Sequence, residues 1–177
     1  AGLASASVDL ILTGQQTANS DAIEIADPLF PFQWYLFNSV TNTNNGSGRP
    51  DEDLDAPRAW MINQRNIQDA PGATADTVYG DSSIGVGVLD SGTEISHEDL
   101  AENIDGGFSS IGGQAINSGG SAIAAHGTVM AGLIAAAKNS LGIVGVAPGV
   151  KLYSLKIFAN DLSTSTIAIS QAVDATV

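Results

Sequence analysis

Beyond residue 84, apolar strand patterns alternate with helix patterns along the sequence. The first apolar run opens at Ile84, continues through Val86 and Val88 to Leu89, and ends at Asp90. A helix pattern follows, with apolar residues at helix spacing: Met130, Leu133, Ile134 and Ala137. A second strand pattern, KLYSLKIF, comes next. Finally, STSTIAISQAV begins another helix behind cap residues and places Ile169, Ala172 and Val173 on one face. Because strands alternating with helices pair in parallel through right-handed crossovers, we predict an α/β domain around a central parallel sheet.

The segments before residue 84 carry weaker patterns. We predict an N-terminal arm over residues 1–26, in which VDLILTG could form a short strand. Two prolines in DPLFPFQWYLFN favour an extended, packed segment over a helix, whereas RAWMINQRNI could form a short helix. Trp34 and Trp60 are predicted to be core anchors. The long stretch between Asp90 and His126 is predicted to be loop.

Composition excludes several classes of function. The 19 acidic side chains against 6 basic ones give a net charge of -13, which would repel nucleic acid phosphates. The apolar runs are too short for a membrane span, and Lys138 interrupts the longest one. The absence of cysteine leaves no disulfide or thiol chemistry, and 2 histidines argue against zinc. The same acidic excess favours divalent cations.

Asp90 and His126 are the candidate catalytic pair. Asp90 ends a predicted parallel strand, where ligands bind in such sheets, and His126 stands at the start of a predicted helix that could open on the same edge. A carboxylate that accepts from one imidazole nitrogen leaves the other nitrogen free to act as a general base. Spacing alone also allows a simpler interpretation, in which Asp90 caps a turn and His126 is a satisfied polar residue.

Several separate motifs support the catalytic interpretation. GVGVLDSGTEISHEDL, HGTVMAGLIAA and NSLGIVGVAP resemble, in order and spacing, the subtilisin-like serine proteases (subtilases). The resemblance implies a subtilisin-like parallel sheet with helices on both faces, Asp90 as the orienting acid and His126 as the base. It also implies a packing role for His97. DPLFPFQWYL and the tryptophan of RAW resemble the kexin- and furin-like branch.

The chain differs from the family pattern in three places. The nucleophile motif G-T-S-M-A-x-P is absent, and Ser121 of GGSAIAA is rejected because no proline or helix pattern follows it. We therefore expect residues 27–177 to be the N-terminal half of a catalytic domain, with the C-terminal fragment of the same protease as partner. Ser91 replaces the second acid of the convertases, and Val129 replaces a frequent histidine or arginine; we expect Val129 to face away from the chemistry.

The resemblance further implies a calcium site. Its ligands would be the Asn139 side chain, the carboxylates of Asp27 and Asp99, and backbone carbonyls of the same loop, namely those of Ala137, Leu141 and Ile143. Such a shell of hard oxygen donors suits Ca²⁺. The alternative is an ordinary asparagine-containing turn with two surface aspartates.

Two functions remain open at this stage. The first is a secreted, calcium-stabilised serine endopeptidase that acts on peptide or protein substrates. The second is a calcium-binding pseudoprotease or interaction module. Retention of both Asp90 and His126 favours the first, because a pseudoenzyme is free to lose either one.

Overall fold

The computed structural model describes residues 23–38, 52–69, 78–116 and 122–175. Over these ranges the chain forms a three-stranded sheet and three α-helices, preceded by a 3-10 turn at Phe30–Phe32. The helices and strands, in chain order, are α1 (Ala56–Asp69), β1 (Gly85–Asp90), β2 (Ile104–Ser109), α2 (Ala122–Ala135), β3 (Lys151–Lys156) and α3 (Thr166–Asp174). No helix in these ranges has the length and apolar character needed to cross a bilayer.

The sheet is parallel throughout and has β3 at its centre. β1 pairs with one edge of β3, from Gly85 opposite Lys151 to Asp90 opposite Lys156, and β2 pairs with the other edge. β2 lies in the stretch predicted to be loop, so that prediction was wrong. Its sequence, IDGGFS, offers little apolar alternation, and Gly107 is needed because a Cβ there would approach the Ser154 carbonyl oxygen at 2.3 Å.

Helices cover both faces of the sheet, as predicted. On one face α2 packs Ala131 and Ala135 against Val88 and Leu152. Of the predicted face, Met130 and Ile134 are partly buried and pack against this cluster. Ala137 is fully buried but lies beyond α2, which ends at Ala135.

α3 covers the opposite face. Ala172 packs there with Leu155 and Ile157. The predicted cap is present, since the Ser165 hydroxyl accepts a hydrogen bond from the Ala168 amide at 3.1 Å. The predicted apolar face of this helix was only partly right, because Ile169 and Val173 are exposed and Ala168 is buried instead.

A second core joins the N-terminal segment to the sheet domain. Leu36, Trp60 and Val144 are buried together, and the Trp60 indole N–H donates to the Val146 carbonyl at 2.9 Å. Trp60 is therefore a core anchor, whereas Trp34 is 54% exposed, contrary to prediction. Ile23 and Ile25, from the predicted arm, pack against this cluster. VDLILTG and Ser121 lie outside the described residues.

Candidate active site

Asp90 lies at the carboxyl end of β1, the edge at which parallel sheets bind their ligands. The Ile157 amide donates to the Asp90 carbonyl at 2.9 Å, so the strand pairing continues to the last residue. The Asp90 side chain is 13% exposed, and its Oδ1 accepts from the Ser91 amide at 2.6 Å. One oxygen of the Asp90 carboxylate is thus fixed by a hydrogen bond from the backbone at the end of the strand.

His126, in the second turn of α2, brings its ring to this carboxylate. Its Nδ1 lies 2.8 Å from Asp90 Oδ2 and 2.9 Å from Oδ1. A carboxylate in that position accepts the Nδ1 proton, which leaves the lone pair of Nε2 available. The His126 side chain is 66% exposed, so this nitrogen is open to a proton donor that arrives from outside.

Gly127 allows α2 to approach the turn that follows β1. Its amide donates to the Ser91 hydroxyl at 3.3 Å. A Cβ at this position would lie 2.2 Å from the Gly92 carbonyl oxygen and 3.2 Å from the Asp90 Cβ. Only glycine therefore lets the base and the acid come this close.

The neighbouring side chains keep the loop after β1 against the same helix. Thr128 accepts a hydrogen bond from the Glu94 amide at 2.9 Å, and Val129 is exposed. His97, the second histidine, accepts at Nδ1 from the Asp99 amide at 3.2 Å. The structure thus places His126, and not His97, at Asp90.

Sequence reasoning missed Lys156 at this site. The lysine ends β3 opposite Asp90, is fully buried, and donates from Nζ to the Ser91 carbonyl at 2.5 Å. Burial lowers the pKa of its ammonium group. The only signal in the sequence is a lysine inside the apolar run KLYSLKIF.

A second cluster contains the two predicted carboxylate ligands. Asp27 and Asp99 are both buried, and each has one carboxylate oxygen without a hydrogen-bond partner, Oδ2 in Asp27 and Oδ1 in Asp99. Burial, together with the negative charge of Asp27, raises the pKa of the Asp99 carboxyl. Two buried carboxylates with unpaired oxygens are costly by themselves, so this donor set fits a bound cation.

The loop of residues 137–143 surrounds these carboxylates. Asp27 Oδ1 accepts from the Asn139 amide at 3.2 Å, and Asp99 Oδ2 accepts from the Ile143 amide at 2.9 Å. The Ala137 amide donates to the Asp99 carbonyl, and the Leu141 amide donates to Asn139 Oδ1 at 2.9 Å. All six predicted ligand residues therefore meet in one place. Within the described ranges no group of three or more acidic or histidine side chains forms a metal cluster, so backbone carbonyls would have to complete the shell.

Known proteins resemble this chain over its second half. The Subtilase family model matches residues 81–176. Subtilisin DY of Bacillus licheniformis is 36% identical over 96 residues, which are 54% of this chain and 33% of that protein. Subtilisin Savinase of Lederbergia lenta is 41% identical over 93 residues, 52% of this chain and 32% of that protein.

A solved structure extends the likeness to the segments before residue 81. The serine protease of Aeromonas sobria, in complex with its chaperone, superposes with a TM-score of 0.68 at 26% identity, over 92% of this chain and 26% of that chain. The chain spans about one third of the length of the curated relatives it matches.

Proposed function

Since the chain belongs to the subtilase family, we propose that it supplies the acid and the base of a serine endopeptidase. The observation that carries the proposal is the hydrogen bond between His126 Nδ1 and Asp90 Oδ2, 2.8 Å long, next to an exposed imidazole. The serine nucleophile of the triad would come from outside this chain.

Each residue has a distinct task in the proposed reaction. His126 Nε2 takes the proton of the serine hydroxyl as the serine oxygen attacks the peptide carbonyl carbon. Asp90 keeps the Nδ1 proton in place and stabilises the imidazolium that forms. The imidazolium then gives its proton to the departing amine as the C–N bond breaks. Water, deprotonated by the same nitrogen, hydrolyses the acyl-enzyme and regenerates the serine.

We propose peptides or proteins as substrates. A kinship with the kexin- and furin-like branch rests on DPLFPFQWYL and on the buried Trp60. Ser91 is 1% exposed and carries no carboxylate, so we expect it not to provide the acidic contact that a basic substrate residue would need. An extracellular location is proposed from the family and from the net charge of -13.

Calcium is proposed as the cation of the acidic cluster. Asp27, Asp99 and Asn139 would supply side-chain oxygens, and Ala137, Leu141 and Ile143 would supply carbonyls. When bound, Ca²⁺ would neutralise two buried carboxylates and join three chain segments, a stabilising role and not a catalytic one. The unpaired oxygens of Asp27 and Asp99 support this assignment.

The proposal is tested by fluorophosphonate labelling of the native preparation, followed by denaturing electrophoresis and intact mass of every band. We expect label on a polypeptide, or on a continuation of this chain, that carries the serine. His126→Ala should abolish labelling and peptide turnover while the melting temperature stays close to that of the parent, because the ring is exposed and its main contact is to Asp90.

His97→Ala is the matched control, since it removes the other histidine without touching Asp90; it should keep turnover. Full activity of the His126 variant would overturn the assignment. Absence of label in a preparation that contains the whole protein would favour the alternative, a calcium-binding pseudoprotease or interaction module.

A further inference from the structure

Lys156 is a buried charged residue at the end of β3. Among the described residues its ammonium group has one acceptor, the Ser91 carbonyl, at 2.5 Å, and no carboxylate lies within ion-pair distance. An ammonium group removed from water with so few partners destabilises the fold. A methionine of similar volume would fill the same space without the free-energy cost of burying an ammonium group. A stabilising role therefore does not account for the lysine.

The position of Lys156 connects it to the candidate catalytic pair. It stands opposite Asp90 in the β1–β3 register, and the Ile157 amide holds the Asp90 carbonyl at 2.9 Å. Side chains alternate along a strand, so Lys156 shares a sheet face with Leu152, whose side chain packs against α2. The ammonium group thus lies on the α2 side of the sheet and contacts the turn that follows β1.

That turn touches both catalytic residues. The Ser91 amide donates to Asp90 Oδ1 at 2.6 Å, and the Ser91 hydroxyl accepts from the Gly127 amide, next to His126, at 3.3 Å. The Lys156 ammonium group donates a hydrogen bond to the carbonyl of the same residue, Ser91. A change in the position of Ser91 would therefore be expected to move the acid and the base relative to one another.

We infer that Lys156 is a positioning residue of the proposed proteolytic site: by holding the Ser91 carbonyl, its ammonium group sets the geometry of the Asp90–His126 hydrogen bond. The inference rests on the proposed function. It assigns no proton transfer and no substrate contact to the lysine. Its action passes entirely through Ser91.

The test compares Lys156→Met with Lys151→Met in the assembled protease. Lys151 is the matched control, because it lies at the other end of β3 and also donates to a backbone carbonyl, that of Glu102, at 2.9 Å. We expect Lys156→Met to lower kcat by about 10- to 100-fold with KM within about twofold, since small misplacements of catalytic groups cost this much. Lys151→Met should leave both constants unchanged.

Two further readouts separate positioning from mere stability. We expect the Nδ1 proton between His126 and Asp90 to give a low-field proton NMR signal. This signal should broaden or shift in Lys156→Met and persist in Lys151→Met. The 177 residues contain no cysteine, so within them Lys156→Cys is alkylated only at residue 156 when the protein is unfolded. After refolding beside an equally treated parent, aminoethylation should restore kcat and alkylation with a neutral propyl group should not.

Parental kcat and an unchanged Nδ1 signal in Lys156→Met would overturn the inference. So would a loss of activity that follows the loss of folded protein and is not restored by aminoethylation, because the lysine would then be structural. His126→Ala, assayed in parallel, keeps the two hypotheses apart. If that variant is active, the proposed function fails, whatever Lys156 does.

Discussion

At the scale of single residues, the candidate site depends on atoms that are in very close contact. Asp90 and His126 meet because α2 approaches the turn after β1 at a position without a side chain, Gly127. The same helix contains a second glycine, Gly132, whose added Cβ would meet only the Ile143 Cδ1 atom at 3.5 Å, an ordinary contact. The same helix therefore contains one glycine that has no room for a Cβ, Gly127, and one that has room for it, Gly132.

Gly127→Ala should consequently disrupt the site, and Gly132→Ala should not. The new methyl group at residue 127 would lie 2.2 Å from the Gly92 carbonyl oxygen, so the helix or the turn must shift and separate His126 from Asp90. We expect kcat to fall by about 100-fold per folded molecule. Gly132→Ala should keep kcat and raise the unfolding free energy by up to about 1 kcal/mol, as alanine replaces glycine inside a helix.

The measurement combines steady-state kinetics with urea unfolding of both variants. Equal kcat values for the two would show that the approach of α2 to Gly92 does not control the catalytic pair.

At the scale of the elements, sequence patterns predicted the presence of helices and strands better than the faces that the helices bury. The strands β1 and β3 and the helices α1, α2 and α3 follow from apolar periodicity and cap residues, yet the buried faces of α2 and α3 were only partly predicted. In both helices the buried apolar residues are alanines, because tertiary packing selects small residues that hydropathy alone ranks low. β2 was not predicted, because its glycines are required by close contact with the neighbouring strand and produce no apolar alternation in the sequence.

The candidate site shows the same division. Asp90 and His126 could be predicted because they sit in local motifs with family-like order. Lys156 could not, because its contact with Ser91 joins residues 65 positions apart and lysine in a strand is usually solvated.

The connection between the N-terminal segment and the loop after α2 also depends on one side chain. Gln33 is buried, and its amide pairs with the backbone of Val144 from both sides: Oε1 accepts from the Val144 amide at 2.9 Å, and Nε2 donates to the Val144 carbonyl at 2.8 Å. The side chain thus imitates a neighbouring strand. It links residues that lie 111 positions apart.

Gln33→Met should destabilise the fold, because methionine keeps the volume but leaves a buried N–H and a buried C=O of Val144 without partners. The expected loss of unfolding free energy is about 2 to 6 kcal/mol, from about 1 to 3 kcal/mol for each of the two unsatisfied groups. Phe32→Ala is a suitable control, since Phe32 is close in sequence but 57% exposed, and it should change the unfolding free energy by less than about 1 kcal/mol. Urea unfolding measures both; comparable losses would contradict the role given to the Gln33 amide.

At the scale of the whole molecule, the acidic cluster brings together segments that secondary structure does not join. Asp27 belongs to the N-terminal segment, Asp99 to the loop after β1, and Asn139 and Ile143 to the loop after α2. The unpaired carboxylate oxygens lie where these segments meet. A cation there would neutralise the mutual repulsion of the two buried carboxylates and would link the three segments. The stability of the whole fold would then depend on the concentration of the free ion.

Removal of calcium should therefore lower the melting temperature. A site held at about 100 times its dissociation constant contributes about 2.7 kcal/mol, which corresponds to a shift of about 5 °C or more for a domain of this size. Asp99→Asn should lose most of this response to a chelator, because it removes one of the two carboxylates. Glu24→Gln, with the same change in charge at an exposed residue of the N-terminal segment, should respond to the chelator as the parent does.

Differential scanning calorimetry with calcium and with chelator measures all three proteins. A melt of the parent that is unchanged by chelation would remove the calcium site while leaving the catalytic proposal in place, because Asp90 and His126 share no ligand with the acidic cluster. A chelator effect that is equally large in Asp99→Asn would locate the cation elsewhere. Burial, which raises the pKa of the Asp99 carboxyl, would then favour the protonated form of that side chain.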